Sequence, residues 1–296
     1  RGGSDGLSEG ESLMSGHLGA HVSAAGGVPA APPRAGAIQA TAMQIFTKQA
    51  NRWAERECDD CEPDDFRAAL ARTGVKVTVA HDSYLINLAS PDEVLRRKSI
   101  ESFVAELKRC EALGLTYLVS HPGNYMDDRE NGIARNADAI SESLARVPGE
   151  TVLCLETTAG SGTSLGASFE ELADIIARVP EPHRSRIGVC VDSCHVHSAG
   201  YDLVNAYDDV WARFDAALGW SRLRVMHLND SKTPFASRRD RHALIGFGSL
   251  GEEPFRRMMT DDRLAGVAKV IETPKLDNDM ITDACMLHLL RGFARG

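Results

Sequence analysis

The amino-acid sequence predicts an α/β fold, a single (β/α)8 barrel of the TIM type. Three observations predict it. Eight short apolar runs recur along the chain, helix-like segments separate them, and no linker or change of composition divides the 296 residues. Runs that are apolar throughout, instead of alternating, mark strands buried on both faces, and eight rounds of strand and helix close into a barrel. About 250 residues is a usual length for such a barrel as one domain.

The elements follow in order. Residues 1–16, RGGSDGLSEGESLMSG, are rich in Gly, Ser and Glu with little to bury, and are expected to form a disordered tail ahead of a barrel domain over 17–296. They also lack the basic and apolar blocks of a secretory signal. The eight runs are HLGAHVS (17–23), TAMQIF (41–46), VKVTVAH (75–81), LTYLVSH (115–121), ETVLCLET (150–157), RIGVCVDSCH (186–195), RLRVMHLND (222–230) and VAKVIET (267–273). Apolar residues spaced by three and four predict helices in IESFVAELKRCEALG, NADAISESLARV and FEELADIIARV. Start signals support two helices: SPDE offers Ser90 as cap, Pro91 at the first helical position and Glu93 to close a capping box, and SFEE repeats the pattern with Ser168 and Glu171. VPAAPPRAG is a poor helix, so the first one should be short or start near Pro33.

Composition narrows the function. Hydrophobic residues at 43% and charged residues at 25% permit a sizeable core. No run of about 18 apolar residues is present, so no membrane partner is expected. Seven scattered cysteines fit a reduced, intracellular protein, and the lone CDDC pair, Cys58 and Cys61, fits a surface loop better than a zinc or redox site. The net charge of −9 argues against nucleic-acid binding by bulk charge, so a nucleic-acid enzyme would need positive charge from a local source.

The strand ends carry the functional signal. Strands 3 to 8 finish in turn at His81, His121, Glu156, Asp192, His227 and Glu272. In a barrel these ends converge on the rim where active sites are built. A single strand-end histidine is usually a hydrogen-bonded core residue, and a single carboxylate is often a helix cap. Six in succession have no such explanation, and three carboxylates buried together without a cation would be costly. Imidazole with carboxylate suits zinc, with manganese or iron as alternatives. Three further candidates stand in loops, His195 after Asp192, then Asp240 and His242 in RRDRHALIGFG; they amount to three ligands and an open position, as a catalytic zinc requires. His183, His197 and His288 lack such partners and are expected to be structural or surface residues.

On these residues the chain resembles the endonuclease IV family of zinc-dependent abasic-site DNA endonucleases, from about Leu18 to Thr273. The matching stretches are GAHVSAAGG, IFTK, HDSYLINL, HPG, LETTAGSGTSLG, VCVDSCHVHSAGYD, MHLNDSK, RRDRHALIGFG and IETP. The resemblance implies a DNA-repair phosphodiesterase with three zinc ions, manganese or iron being an alternative in one position. It implies cleavage of double-stranded DNA 5′ to an abasic nucleotide to leave a 3′-hydroxyl and a 5′-deoxyribose phosphate, and trimming of blocked 3′ ends. By matching positions His81 and His121 would hold one ion, Asp192, His227 and Glu272 a second, with Glu156 bridging, and His195, Asp240 and His242 the third. Glu272 and Glu156 are the catalytic candidates, Glu272 as the group that orients or deprotonates water. Tyr84 and Leu85 would fill the gap left by the missing base. Lys232, Arg238, Arg239 and Arg241 would meet phosphates, and His21 would sit behind the metals. Where the family commonly carries an inserting Arg after IFTK, this chain reads QANRW, which leaves Asn51 and Arg52 as candidates. A monomer in the cytoplasm, associated with the nucleoid in a bacterium, completes the expectation. Two other readings use the same features. A metal-dependent sugar isomerase or epimerase of the xylose-isomerase-like group would use a mainly carboxylate site, and a degenerate barrel would bind damaged DNA without cutting it; five histidines and a full ligand set argue against both.

Overall fold

The computed structural model describes residues 16–56, 58 and 62–295. The tail expected over 1–16 therefore lies outside the described residues except for Gly16, and so does Cys61 of the CDDC pair. Eight parallel strands, β1 (Leu18–His21), β2 (Ala42–Phe46), β3 (Val77–His81), β4 (Tyr117–Ser120), β5 (Val152–Glu156), β6 (Ile187–Asp192), β7 (Leu223–His227) and β8 (Ala268–Ile271), pair in sequence order, and β8 returns to β1 to close the barrel. Each falls inside one of the eight apolar runs. The helices are α1 (Ala31–Ala37), α2 (Glu62–Leu70), α3 (Glu93–Leu113), α4 (Arg129–Arg146), α5 (Phe169–Arg178), α6 (Glu181–Arg184), α7 (Ser193–Ala199), α8 (Tyr207–Leu218), α9 (Glu253–Thr260) and α10 (Asp279–Phe293).

The two-residue period of a strand explains how an apolar barrel ends in polar chemistry. Alternate residues point into the barrel, so Val77, Val79 and His81 share one face of β3, and Val152, Cys154 and Glu156 share one face of β5. The same parity stacks His121 over Val119, Asp192 over Cys190, and His227 over Val225. Val79, Val119, Cys154, Cys190 and Val225 are fully buried and form a cluster of their own inside the barrel. Two cysteines are thus space-filling residues whose thiols burial pushes well up, to about 12 for Cys190, which makes them inert. Directly above this layer stands the polar one. The larger core lies between strands and helices, where Phe66, Phe103, Phe169, Phe214 and Phe255 are fully buried, each worth on the order of 2–3 kcal/mol of transfer free energy.

Helix starts follow the local signals with one correction. Ser168 caps α5 as expected, accepting the Glu171 N–H at 3.2 Å, while the Glu171 carboxylate takes the Gly166 and Ala167 N–H groups at 2.9 Å each. Ser90 does not cap α3. Its hydroxyl accepts from the Asp92 N–H at 3.2 Å, and Asp92 caps the helix through the Leu95 N–H at 3.0 Å. The carboxylate is the stronger acceptor and also meets the positive end of the helix, so the start moves past Pro91. The first helix is short, as expected, with Pro32 and Pro33 in its first turn.

Candidate metal centre

The strand ends bring six of the nine expected ligands together, and the segments after β6 and β7 add the other three. Glu156 stands at the centre: its Oε2 lies 3.1 Å from Nε2 of both His81 and His121, and its Oε1 lies 3.1 Å from Nδ1 of both His195 and His227. Glu272, one residue beyond β8, approaches His227 Nδ1 at 3.1 Å, and Asp192 approaches it at 3.9 Å. Asp240 lies 3.2 Å from His195 Nε2 and 3.1 Å from His242 Nε2. Three sets of donor atoms therefore converge, each within 4.8 Å: His81, His121 and Glu156; Glu156, Asp192, His227 and Glu272; and His195, Asp240 and His242.

His195 is not in a loop. It belongs to α7, which starts immediately after β6 because the Asp192 carboxylate accepts the His195 N–H at 2.8 Å and caps the helix. Asp192 thus spends one oxygen on the cap and turns the other to His227. His242 sits in a two-residue antiparallel ribbon, His242–Ala243 against Asp230–Ser231. That ribbon is organised by Asp230, a fully buried carboxylate that accepts N–H groups from Ser231, Gly246, Gly248 and Leu250 at 2.7 to 3.1 Å. Gly248 is required there, since a Cβ would lie 2.4 Å from the Asp230 Oδ1.

The electrostatics are those of a site built around positive charge. Burial disfavours every ion in it, yet neighbouring carboxylates raise His81 and His242 to about 9, with Glu156 acting on the first and Asp192 and Asp240 on the second. Glu156 and Glu272 are held well below the usual carboxylate range by imidazoles despite burial. Without metal the carboxylates thus keep protons on the histidines. The geometry points to a different occupant: Nε2 of His195 and of His242 are buried, aim at Asp240, and make no well-formed hydrogen bond. Orphaned imidazole lone pairs converging on a carboxylate fit a cation of zinc-type chemistry.

Four of the five ligand histidines have their second nitrogen held. Nδ1 of His81, His195 and His242 meets the main-chain oxygen of Asp82, Thr157 and Glu272 at 2.9, 2.8 and 3.3 Å. His227 is held the other way round, its Nε2 2.8 Å from the side-chain oxygen of Gln44. Gln44, Asn229 and Asp82 were missed by the sequence reading. Asn229 donates to Asp192 at 2.6 Å and accepts the Glu272 N–H at 2.8 Å. Asp82 accepts the Ser120 hydroxyl at 2.6 Å, and burial raises it to about 7. The signal for Gln44 was available: within AMQIF it occupies an inward position that apolar packing alone would not give to an amide. Cys194 lies beside Asp192 and His242, close enough to form a further donor set with them.

The remaining candidates lie on the rim. Tyr84 is exposed and Leu85 half-exposed, with the Tyr84 ring 5.3 Å from Phe46 and 5.7 Å from His81. Asn51 and Arg52 are exposed on the loop after β2, which a network of Lys48, Glu55, Ser102 and Arg109 ties to α3. His21 packs on Phe46 and stands 3.5 Å from Glu272, in the wall of the site. Lys232, Arg238, Arg239 and Arg241 are exposed on the loop after β7 and meet no carboxylate among the described residues. The arginines of the helical layer differ: Arg97, Arg146, Arg213 and Arg257 are paired with Glu142, Glu101, Glu170 and Asp208. His183 is half-exposed and His288 exposed, whereas His197 is buried with Nε2 2.9 Å from the Ser249 hydroxyl.

Comparison with known proteins agrees with this fold. Residues 34–288 match the family described as xylose isomerase-like TIM barrel. The chain is 45% identical over 283 residues to a probable endonuclease 4 of Chloroflexus aurantiacus, covering 94% of this chain and 98% of that one. It is also 45% identical over 286 residues to a probable endonuclease 4 of Geobacter sulfurreducens, covering 95% and 96%. The crystal structure of endonuclease IV from Thermus thermophilus superposes with a TM-score of 0.84 at 35% identity, over 94% of this chain and 99% of that one.

Proposed function

Because the chain belongs to the endonuclease IV family of TIM-barrel nucleases, we propose that it is a DNA-repair enzyme that hydrolyses the phosphodiester 5′ to an abasic nucleotide in double-stranded DNA. The products are a 3′-hydroxyl and a 5′-deoxyribose phosphate, and blocked 3′ ends are trimmed by the same chemistry. The observation that carries the reading is the convergence of nine His, Asp and Glu side chains into three donor sets on one rim. His81 and His121 would hold one zinc ion, Asp192, His227 and Glu272 a second, with Glu156 bridging the pair, and His195, Asp240 and His242 a third; manganese or iron can replace zinc in one position. When bound, these ions lower the pKa of water toward neutrality and neutralise charge on the phosphate.

The chain's own residues supply the rest. Glu272 turns Oε2 toward the His227 side of the site, where it would orient or deprotonate the attacking water. The water oxygen bonds to phosphorus as the bond to the 3′ oxygen breaks, and the departing 3′ oxygen takes up a proton from solvent to give the 3′-hydroxyl. Four ligand carboxylates against three divalent ions leave local positive charge, which Lys232, Arg238, Arg239 and Arg241 extend, so an acidic chain can attract DNA. Tyr84 and Leu85, with Asn51 and Arg52 across the rim, fill the gap of a flipped abasic nucleotide, which costs less to extrude than an intact one. The protein acts as a monomer. Among the described residues no helix is long and apolar enough to cross a membrane.

The sugar-isomerase reading loses to the near full-length identity with endonuclease 4 proteins. The test is strand cleavage of a duplex carrying one abasic site, with product ends identified and metal content measured on the same sample. Metal-replete protein that leaves the abasic duplex intact would sink the proposal.

A further inference from the structure

Gln44 is fully buried at the middle of β2, on the inward face, with Val79 of β3 and His21 of β1 as its register partners. An amide is a costly occupant of this layer unless all its polar atoms are met. They are met entirely by residues of the metal centre. The Oε1 of Gln44 lies 2.8 Å from His227 Nε2, and its Nε2 lies 2.6 Å from Glu272 Oε1 and 3.0 Å from His21 Nδ1. One side chain therefore touches two candidate ligands and the histidine behind them.

The network permits one orientation of the amide. If it were turned over, its oxygen would face a carboxylate oxygen of Glu272 at 2.6 Å, a repulsive contact. In the orientation present, His227 carries its proton on Nε2 and leaves Nδ1 to the site, where Glu156 Oε1 and Glu272 Oε2 lie 3.1 Å away. Glu272 is divided in the same way: Oε1 is held by Gln44, and Oε2 is free to turn inward. His81, His195 and His242 have their rings set by main-chain oxygens, which no substitution removes. His227 is the one of these four whose orientation depends on a side chain.

We propose that Gln44 is a positioning residue of this site: its amide holds His227 in the tautomer that presents Nδ1, and holds Glu272 so that Oε2 faces the same cation. The proposal rests on the reading that Asp192, His227 and Glu272, with Glu156, hold a metal ion. It specifies which part of the site should fail when Gln44 is changed. Outer partners of this kind typically control metal affinity by about 10–100-fold.

The test uses full-length protein with Gln44→Met, of similar length but without donor or acceptor, and Gln44→Glu, which keeps an oxygen for His227. Zinc number and affinity are measured by competition with a chromophoric chelator, and histidine tautomers by long-range 1H–15N NMR of the zinc-loaded protein. Wild type should show His227 with its proton on Nε2, against Nδ1 for His81, His195 and His242. Gln44→Met should bind one zinc about 10–100-fold more weakly and lose the His227 signal while the other three persist. Gln44→Glu keeps an oxygen for His227 but sets its other oxygen against the Glu272 carboxylate, so it should restore the His227 signal while zinc stays weakly bound; absence of that signal counts against the inference even if the Met variant fails to fold. Wild-type zinc number and affinity in folded Gln44→Met, or a His227 proton on Nδ1 in the zinc-loaded wild type, overturns the inference. Wild-type protein that binds no metal instead overturns the proposed function.

Discussion

Replacing Tyr84 with Ala separates how damage is found from how it is cut. Tyr84 is 63% exposed, and its ring is held from below by Phe46 and His81 at centroid distances of 5.3 and 5.7 Å. A tyrosine covers about 200 Å2, so the share left to meet DNA is on the order of 120 Å2, worth at most about 3 kcal/mol at 25 cal/mol per Å2. Loss of one base-stacking aromatic costs about 1–3 kcal/mol, so the Kd for an abasic duplex should rise between about fivefold and 150-fold. The edge contacts with Phe46 and His81 limit the cost to folding to about 1 kcal/mol, and Tyr84 belongs to none of the donor sets, so metal content should not change. Binding is measured by fluorescence anisotropy in a Glu272→Gln background, and cleavage by wild-type and Tyr84→Ala protein under single-turnover conditions at matched salt. Unchanged Kd and unchanged single-turnover rate would show that Tyr84 only packs under its loop. Loss of zinc on substitution would refute the separation of finding from cutting.

The other expected outcomes concern the cut and its conditions. Glu272→Gln should fold and cleave at least about a hundredfold more slowly, as loss of a base or metal-organising group does, and near wild-type turnover with normal metal content would make Glu272 structural only. Removal of metal by a chelator should abolish cleavage, and zinc should restore it, with about three ions per chain by elemental analysis. In metal-free protein His81 and His242 hold protons up to about pH 9. Zinc must displace those protons, so affinity should fall as pH drops below about 9, with proton release seen as buffer-dependent heat in calorimetry. The same raised values stabilise the metal-free fold below the unfolded pKa of about 6.5, and that stability is lost as pH rises to about 9, so its melting temperature should decline across this window. Replacing both Arg239 and Arg241 with Ala should lower the slope of log Kd against log salt by about 2; an unaltered slope would remove them from the phosphate contacts.

Much of this protein is legible in one dimension because its rules are local. Strands buried on both faces are written as unbroken apolar runs, so all eight are legible, and a His, Asp or Glu at or near the end of six of them marks the rim. Histidine and carboxylate at six successive strand ends needed only the knowledge that barrel strands converge. What the sequence could not decide was every contact made sideways. The α7 start at Ser193 depends on Asp192 turning its carboxylate back to the His195 N–H, and the α3 start on Asp92 outbidding Ser90. Asp230 reads as one more polar residue in MHLNDSK, yet it gathers four N–H groups from a loop up to 20 positions away. Gln44 and Glu272 are 228 residues apart in the chain and 2.6 Å apart in space. Residue type and spacing determined which groups could bind a metal; only the tertiary structure decided which ring nitrogen His195, His227 and His242 present, because each depends on a hydrogen-bond partner at least 30 positions away in the chain.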